Sequence, residues 1–230
     1  MMKTGKNKRL LASILAASML LAMSPFALAE EAEDTTGQEP SQGQPVEQTY
    51  AAKIVDGETE TQYKSLAGAI YDANSDVTIV MLRNVTENIE INKSLTLDLG
   101  GFTLSGNANA AVVTISGDKP QVTVENGTVT GGKKSGIRIT DADVTLTKLT
   151  VTKNASTGNG GGIDAVKGKE LVVEQCAINE NTAKYSGGGI RVEDTPLKVI
   201  DSEIKNNQGL HGAGIYLSDP KTPVCGRHEI

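Results

Sequence analysis

The sequence predicts an all-β fold: a right-handed parallel β-helix (solenoid) with an N-terminal capping helix. Three observations carry this. Five segments sharing a strand–kink–strand pattern start 27, 22, 27 and 26 residues apart. A second series of short strands lies between them, spaced by 24, 26, 27 and 25 residues. The only good amphipathic helical stretch precedes both series.

The five segments are LTLDLGGF from Leu95, VTVENGTV from Val122, VTLTKLTV from Val144, LVVEQCAI from Leu171 and LKVIDSEI from Leu197. Positions one and three are aliphatic, and position eight is Phe102, Val129, Val151, Ile178 or Ile204. The second series aligns Val113, Ile137, Ile163, Ile190 and Ile215. One coil of this length cannot bury its apolar positions alone, but each coil stacked on the last buries a layer. The composition agrees, with 25 Gly, no Trp, two Phe and five Tyr. Such a core is built from thin aliphatic layers instead of large aromatic rings. An antiparallel sandwich would need a tight turn such as Asn-Gly between every strand pair. Only Asn126-Gly127 fits, and it lies inside a repeat.

Ahead of the array, AAKIVDG reads as a short strand and turn near Tyr50. Tyr63, Leu66, Ala69, Ile70 and Ala73 then share one helical face. That helix is expected to cover the first coil. Residues 1–29 read as a signal peptide. Lys3, Lys6, Lys8 and Arg9 precede an apolar run from Leu10 to Met23, and Ala27-Leu28-Ala29 supplies the cleavage site. The run is shorter than the ~20 residues of a membrane span, so the mature chain is expected to be secreted or on the cell surface and not membrane-spanning. Residues 30–49 read as a disordered acidic linker, residues 50–94 as cap and first coil, 95–218 as β-helix repeats, and 219–230 as an irregular tail. The tail holds neither a repeat nor a capping helix, so the chain reads as a truncation or a fragment of a longer surface protein.

With the four basic residues of the leader removed, 18 Lys and Arg stand against 28 Asp and Glu, a net charge of −10. That balance argues against nucleic acid as a partner. Two cysteines, Cys176 and Cys225, are too few for a stapled scaffold. Cys176 reads as a small core residue.

The last three coils share a tighter pattern. Asn154, Asn181 and Asn207 each precede a glycine run: Gly160-Gly161-Gly162, Gly187-Gly188-Gly189 and Gly212-Ala213-Gly214. The asparagines are expected to stack at a structural corner, where Asn tolerates a left-handed backbone and its amides form ladders. The glycines enter strands and match no phosphate-cradling loop.

These paired elements resemble the repeats of bacterial polymorphic outer-membrane proteins, which are β-helical surface adhesins. The stretch from Tyr63 to Gly106 resembles the cap and first coils of pectate-lyase-like surface proteins. The resemblance covers most of the mature chain and implies the fold. It leaves function open among lyases, hydrolases, epimerases and adhesins, and the C-terminal membrane barrel of the polymorphic proteins is not expected in this sequence.

Candidate chemistry is sparse. Asp164, Arg191 and Tyr216 each follow the Ile of a second-series strand and are expected to form one outward, exposed column that would serve as a ligand-binding surface, with Asp164 beside Arg191 as a cross-coil ion pair. Arg138, Asp141 and Asp143 form a second local cluster. Lyases of this fold hold calcium on clustered acidic residues, so Ca2+ enters only with a lyase reading; no other cofactor or metal is expected. The hydrolase signatures are incomplete, with Leu-His-Gly at His211 and Arg-Ile-Thr at Arg138. Neither a glycosidase carboxylate pair nor a nucleophile elbow is identifiable, and His211 and His228 are the only histidines. The favoured reading is adhesion or surface display, with a polysaccharide or cell-surface ligand. Its rivals are an extracellular polysaccharide lyase or hydrolase, and an inert spacer for a further C-terminal module.

Overall fold

The computed structural model describes residues 49–218. The expected signal peptide at 1–29, all but the last residue of the linker at 30–49, and the tail at 219–230 with Cys225 and His228 lie outside the described residues.

Strands fall on three faces, because each coil turns sharply between short extended stretches. The first face holds β3 (Val77–Met81), β6 (Leu95–Asp98), the first halves of β9 (Gln121–Thr130) and β11 (Asp143–Thr152), β14 (Glu170–Glu174) and β18 (Leu197–Ile200). The second holds β4 (Val85–Thr86), β7 (Thr103–Ser105), the second halves of β9 and β11, β15 (Ala177–Asn179) and β19 (Glu203–Lys205). The third runs β5 (Ile89–Ile91), β8 (Ala111–Ser116), β10 (Ser135–Thr140), β13 (Ile163–Val166), β17 (Ile190–Glu193) and β20 (Ile215–Ser218). A small ladder, β12 (Ala155–Ser156) with β16 (Thr182–Ala183), edges the loops. All pairings between coils are parallel and the coils wind right-handed.

Register follows the inward side chains. Leu95, Val122, Val144, Leu171 and Leu197 pair in succession, as do Ile89, Val113, Ile137, Ile163, Ile190 and Ile215. Each coil delivers five aliphatic side chains to one layer. Leu171, Val173, Ile178, Ile190 and Val192 make a typical one, none more than 2% exposed. Fully burying such a side chain is worth about 1.5–3 kcal/mol, but only with another layer above and below. Phe102 departs from the expected register. Leu104, not Phe102, pairs with Val129 and enters the core. Gly100 and Gly101, at φ 59° and 81°, widen that corner by two residues and leave Phe102 half-buried on its flank.

The corners are left-handed. In the coil starting at Val144, Asp141, Lys148 and Lys153 have φ of 53°, 53° and 55°. Their equivalents one coil on are Lys167, Gln175 and Glu180, at 57°, 52° and 55°. Each kink aims a backbone N–H inward, and a buried unpaired donor is costly. Side chains of the next coil accept these donors. Asn154 N donates to Asn181 Oδ1 at 3.1 Å, and Asn181 N to Asn207 Oδ1 at 2.9 Å. The amide nitrogens continue the ladder, Asn154 Nδ2 to Asn181 Oδ1 at 3.0 Å and Asn181 Nδ2 to Asn207 Oδ1 at 3.1 Å. The left-handed residue is therefore the one before each asparagine (Lys153, Glu180, Asn206), correcting the expectation for Asn154, Asn181 and Asn207. These three turn their amides inward, where a left-handed backbone is not needed. At another corner Leu149 N donates to Cys176 Sγ at 3.5 Å and Cys176 N to Ser202 Oγ at 3.0 Å. At the third, Gly168 N donates to Thr195 Oγ1 at 2.8 Å.

The N-terminal end is closed by a hairpin as well as a helix. Strands β1 (Ala52–Asp56) and β2 (Thr59–Tyr63) pair antiparallel, and β1 joins β3 antiparallel. Gly57, at φ 60°, takes the first central place of the two-residue turn; Asp56-Gly57 was thus a hairpin signal that Asn126-Gly127 was not. Tyr63 ends β2 and is not part of the helix. The helix α1 (Leu66–Asp72) buries Leu66, Ala69 and Ile70 against the core. Ser65 caps it, its Oγ accepting from Gly68 N at 3.1 Å. Glu87 accepts from Leu66 N and Ala67 N, and Lys93 Nζ donates to the carbonyls of Tyr71 and Ala73. A carboxylate at the N-terminus and an ammonium at the C-terminus complement the helix dipole and fix the lid to the first coil.

Two outcomes follow from the corners. Asn181→Ala strips acceptors from Asn154 in the buried ladder and should lower stability by about 2–4 kcal/mol in urea unfolding. Burial pushes the Cys176 thiol above its ordinary value. A folded-state pKa above the unfolded one leaves stability intact below about 8.5, the ordinary thiol value, and lowers it as pH rises beyond, where the unfolded chain loses its proton first. Urea midpoints measured across that range should fall more steeply for the native chain than for Cys176→Ser.

Candidate functional site

The outward residues of the third face stand in one row: Glu90, Thr114, Arg138, Asp164, Arg191 and Tyr216. Asp164, Arg191 and Tyr216 are neighbours in successive coils, and Arg191 Nη1 donates to Asp164 Oδ1 at 3.0 Å. Arg191 Nη2 also pairs with Glu193, two positions along the strand. The row is not the exposed column expected. Asp164 is 4% exposed and the Arg191 side chain 13%, while Tyr216 is half-buried. The cause is the glycine run before each strand, which folds back over the sheet. Gly160 lies so close that a Cβ on it would stand 2.3 Å from the Asp164 Cβ, and one on Gly187 2.6 Å from that of Arg191. Both glycines have positive φ. The loops roof the ion pair and leave Arg191 Nε buried with no hydrogen-bond partner.

The second expected cluster is dispersed. Arg138 is exposed on the third face, Asp141 occupies a left-handed corner, and Asp143 opens β11 on the first face, 3.6 Å from Lys169 Nζ. His211 is an exposed loop residue bridged through its backbone to Ser186. Among the described residues no three His, Cys, Asp or Glu side chains are grouped to hold a metal ion. No helix among them is long and apolar enough to cross a membrane.

The first face stays open. A shallow groove of about 470 Å³ runs across its coils, lined by Asp76, Thr96, Gln121, Thr123, Asp143, Thr145 and Glu170 with parts of Leu95 and Val122. Strand register makes it periodic. Thr96, Thr123 and Thr145 form one row and Gln121, Asp143 and Glu170 the next. Coils about 4.8 Å apart therefore present Thr123 beside Gln121 and Thr145 beside Asp143, while in the next coil Glu170 stands beside Val172. Lysines offset the carboxylates: Lys169 lies beside Asp143, and Lys198 Nζ is 2.6 Å from Glu170. The groove offers donors and acceptors with little net charge, suited to a hydroxyl-rich ligand laid along the axis. The sequence held a signal for it, since these residues flank the first aliphatic position of successive repeats.

Comparison with known proteins gives one match. The model of a family described as a right-handed beta helix region matches residues 70–225. No curated protein and no solved structure matches the chain.

Roofing of the third face has a measurable signature. Asp164→Ala would leave Arg191 enclosed with one carboxylate partner instead of two. Unfolding free energy should drop by about 2–3 kcal/mol, against less than about 1 kcal/mol for an exposed pair.

Proposed function

The chain belongs to the right-handed beta helix family, and from that premise we propose that it is an exported rod that binds a polysaccharide along its first face, serving adhesion or surface display. The observation that carries this reading is the periodic groove lined by Thr96, Thr123 and Thr145 beside Gln121, Asp143 and Glu170. A polymer of sugar units repeats its hydroxyls along its length, and a stack of coils repeats its partners about every 4.8 Å. Single contacts of this kind are weak, so affinity accumulates with the number of coils engaged. The basic and apolar leader at residues 1–29 supports export, and the acidic balance of the mature chain favours a neutral glycan over a polyanion.

The test is co-sedimentation of the full chain with insoluble bacterial wall and plant polysaccharides. Thr123→Lys combined with Thr145→Lys, placing two long charged side chains in the groove, should weaken binding about tenfold with the unfolding midpoint unchanged. Equal binding by the variant would remove the groove from the reading. Calcium-dependent release of unsaturated ends, or of reducing ends, during the incubation would replace adhesion with a lyase or hydrolase.

A further inference from the structure

The loops that roof the third face carry Tyr185, 46% exposed, and Leu210, 69% exposed. These two are not scattered. Ser186 bridges His211 in parallel, so Tyr185 and Leu210, one residue earlier, hold the same place in successive coils. Tyr185 N donates to Gly158 O at 3.0 Å, and His211 N donates to Tyr185 O at 2.9 Å. Gly158 therefore stands one coil before Tyr185, and only Ser156 Oγ, at 3.8 Å, comes near the place its Cβ would take. The result is a bare backbone shelf, an aromatic ring and an aliphatic side chain in a row.

We infer that Gly158, Tyr185 and Leu210 form a stacking platform for the C–H face of a pyranose ring, a glycan contact separate from the groove. The inference rests on the reading of the chain as a glycan-binding rod and adds a second site to it. A sugar ring is apolar on its faces and polar around its edge, and it needs a flat apolar surface within a polar rim. Tyr185 supplies the flat surface, and aromatic rings are efficient at this because they bury much area with little rotamer freedom. Lys184 Nζ lies 5.1 Å from the centre of the ring, a cation–π contact that steadies its orientation. His211, next to Leu210, extends the rim. Hydrogen bonds to the coils on both sides hold the Tyr185 backbone, so little ordering is left to the binding step. With contacts on two faces, one rod would join two glycan chains.

The experiment is calorimetric titration of the full chain with short linear oligosaccharides of glucose, N-acetylglucosamine and mannose, which fit the platform without needing the whole groove. Tyr185→Ala should weaken the best of them by roughly five- to tenfold, with an unchanged unfolding midpoint, and by the same factor whether it is made in the native chain or in the Thr123→Lys, Thr145→Lys chain. Equal affinity in Tyr185→Ala, with loss confined to the groove variant, would overturn the platform and leave the groove reading standing. Failure of the native chain to bind any of the three would also overturn the platform, and sedimentation with insoluble polymer would then decide the groove on its own.

Discussion

Every coil of this rod has to change direction three times without losing step with the coil beneath it. That constraint is met by left-handed residues at equivalent places, coil after coil. Most are not glycine. Lys148, Gln175 and Asp201 turn one corner, Lys153, Glu180 and Asn206 another, and Asp141, Lys167 and Asp194 the third. Each such residue costs on the order of 1–2 kcal/mol in an isolated chain. Stacking offsets that cost, because the corner side chains one coil away accept the N–H groups that the kinks turn inward. The asparagine ladder, the Cys176–Ser202 pair and Thr195 are three solutions to one accounting problem.

The same constraint separates the roofed face from the open one. Between the second and third faces the later coils carry an extra glycine-rich loop, and only there does the chain have length to fold back over its own sheet. Asp164 and Arg191 are enclosed for that reason. In these later coils the first and second faces meet at a single kinked residue (Lys148, Gln175 or Asp201), with no slack for a covering segment. The first face accordingly stays flat, and its outward residues repeat at the pitch of the backbone.

Much of this was legible in the sequence, and unevenly so. The inward rows were clear, because apolar side chains in register leave the same mark in every repeat. The corners were not. Lys148, Gln175 and Glu180 carry no local sign of a left-handed backbone, since the coil below imposes it. Asn154, Asn181 and Asn207 attracted notice through their spacing, yet their task is to satisfy the backbone of a neighbour beside the left-handed residue. Phe102 was aligned with Val129 because the two glycines that lengthen its corner are invisible in a pattern of aliphatic positions. The column of Asp164, Arg191 and Tyr216 was placed in the correct row, and its cover was missed because a glycine run shows freedom of the backbone without its direction. The groove went unnoticed because outward positions vary in residue type, although Gln121, Asp143 and Glu170 each directly precede the first aliphatic position of a repeat.

The interchangeability of the later corners bears on how such a chain changes over generations. Val144 and Leu171 stand 27 residues apart and pair directly, with matching kinks, ladder asparagines and roof glycines between them. A tandem copy of that stretch in the gene would carry its own corners, its own core layer and its own ladder rung. It would slot between existing coils with nothing to repack, lengthening the rod by about 4.8 Å. Replication slippage across such repeats therefore has a ready product: reach adjustable in whole steps, each new step arriving with one more register of the open face.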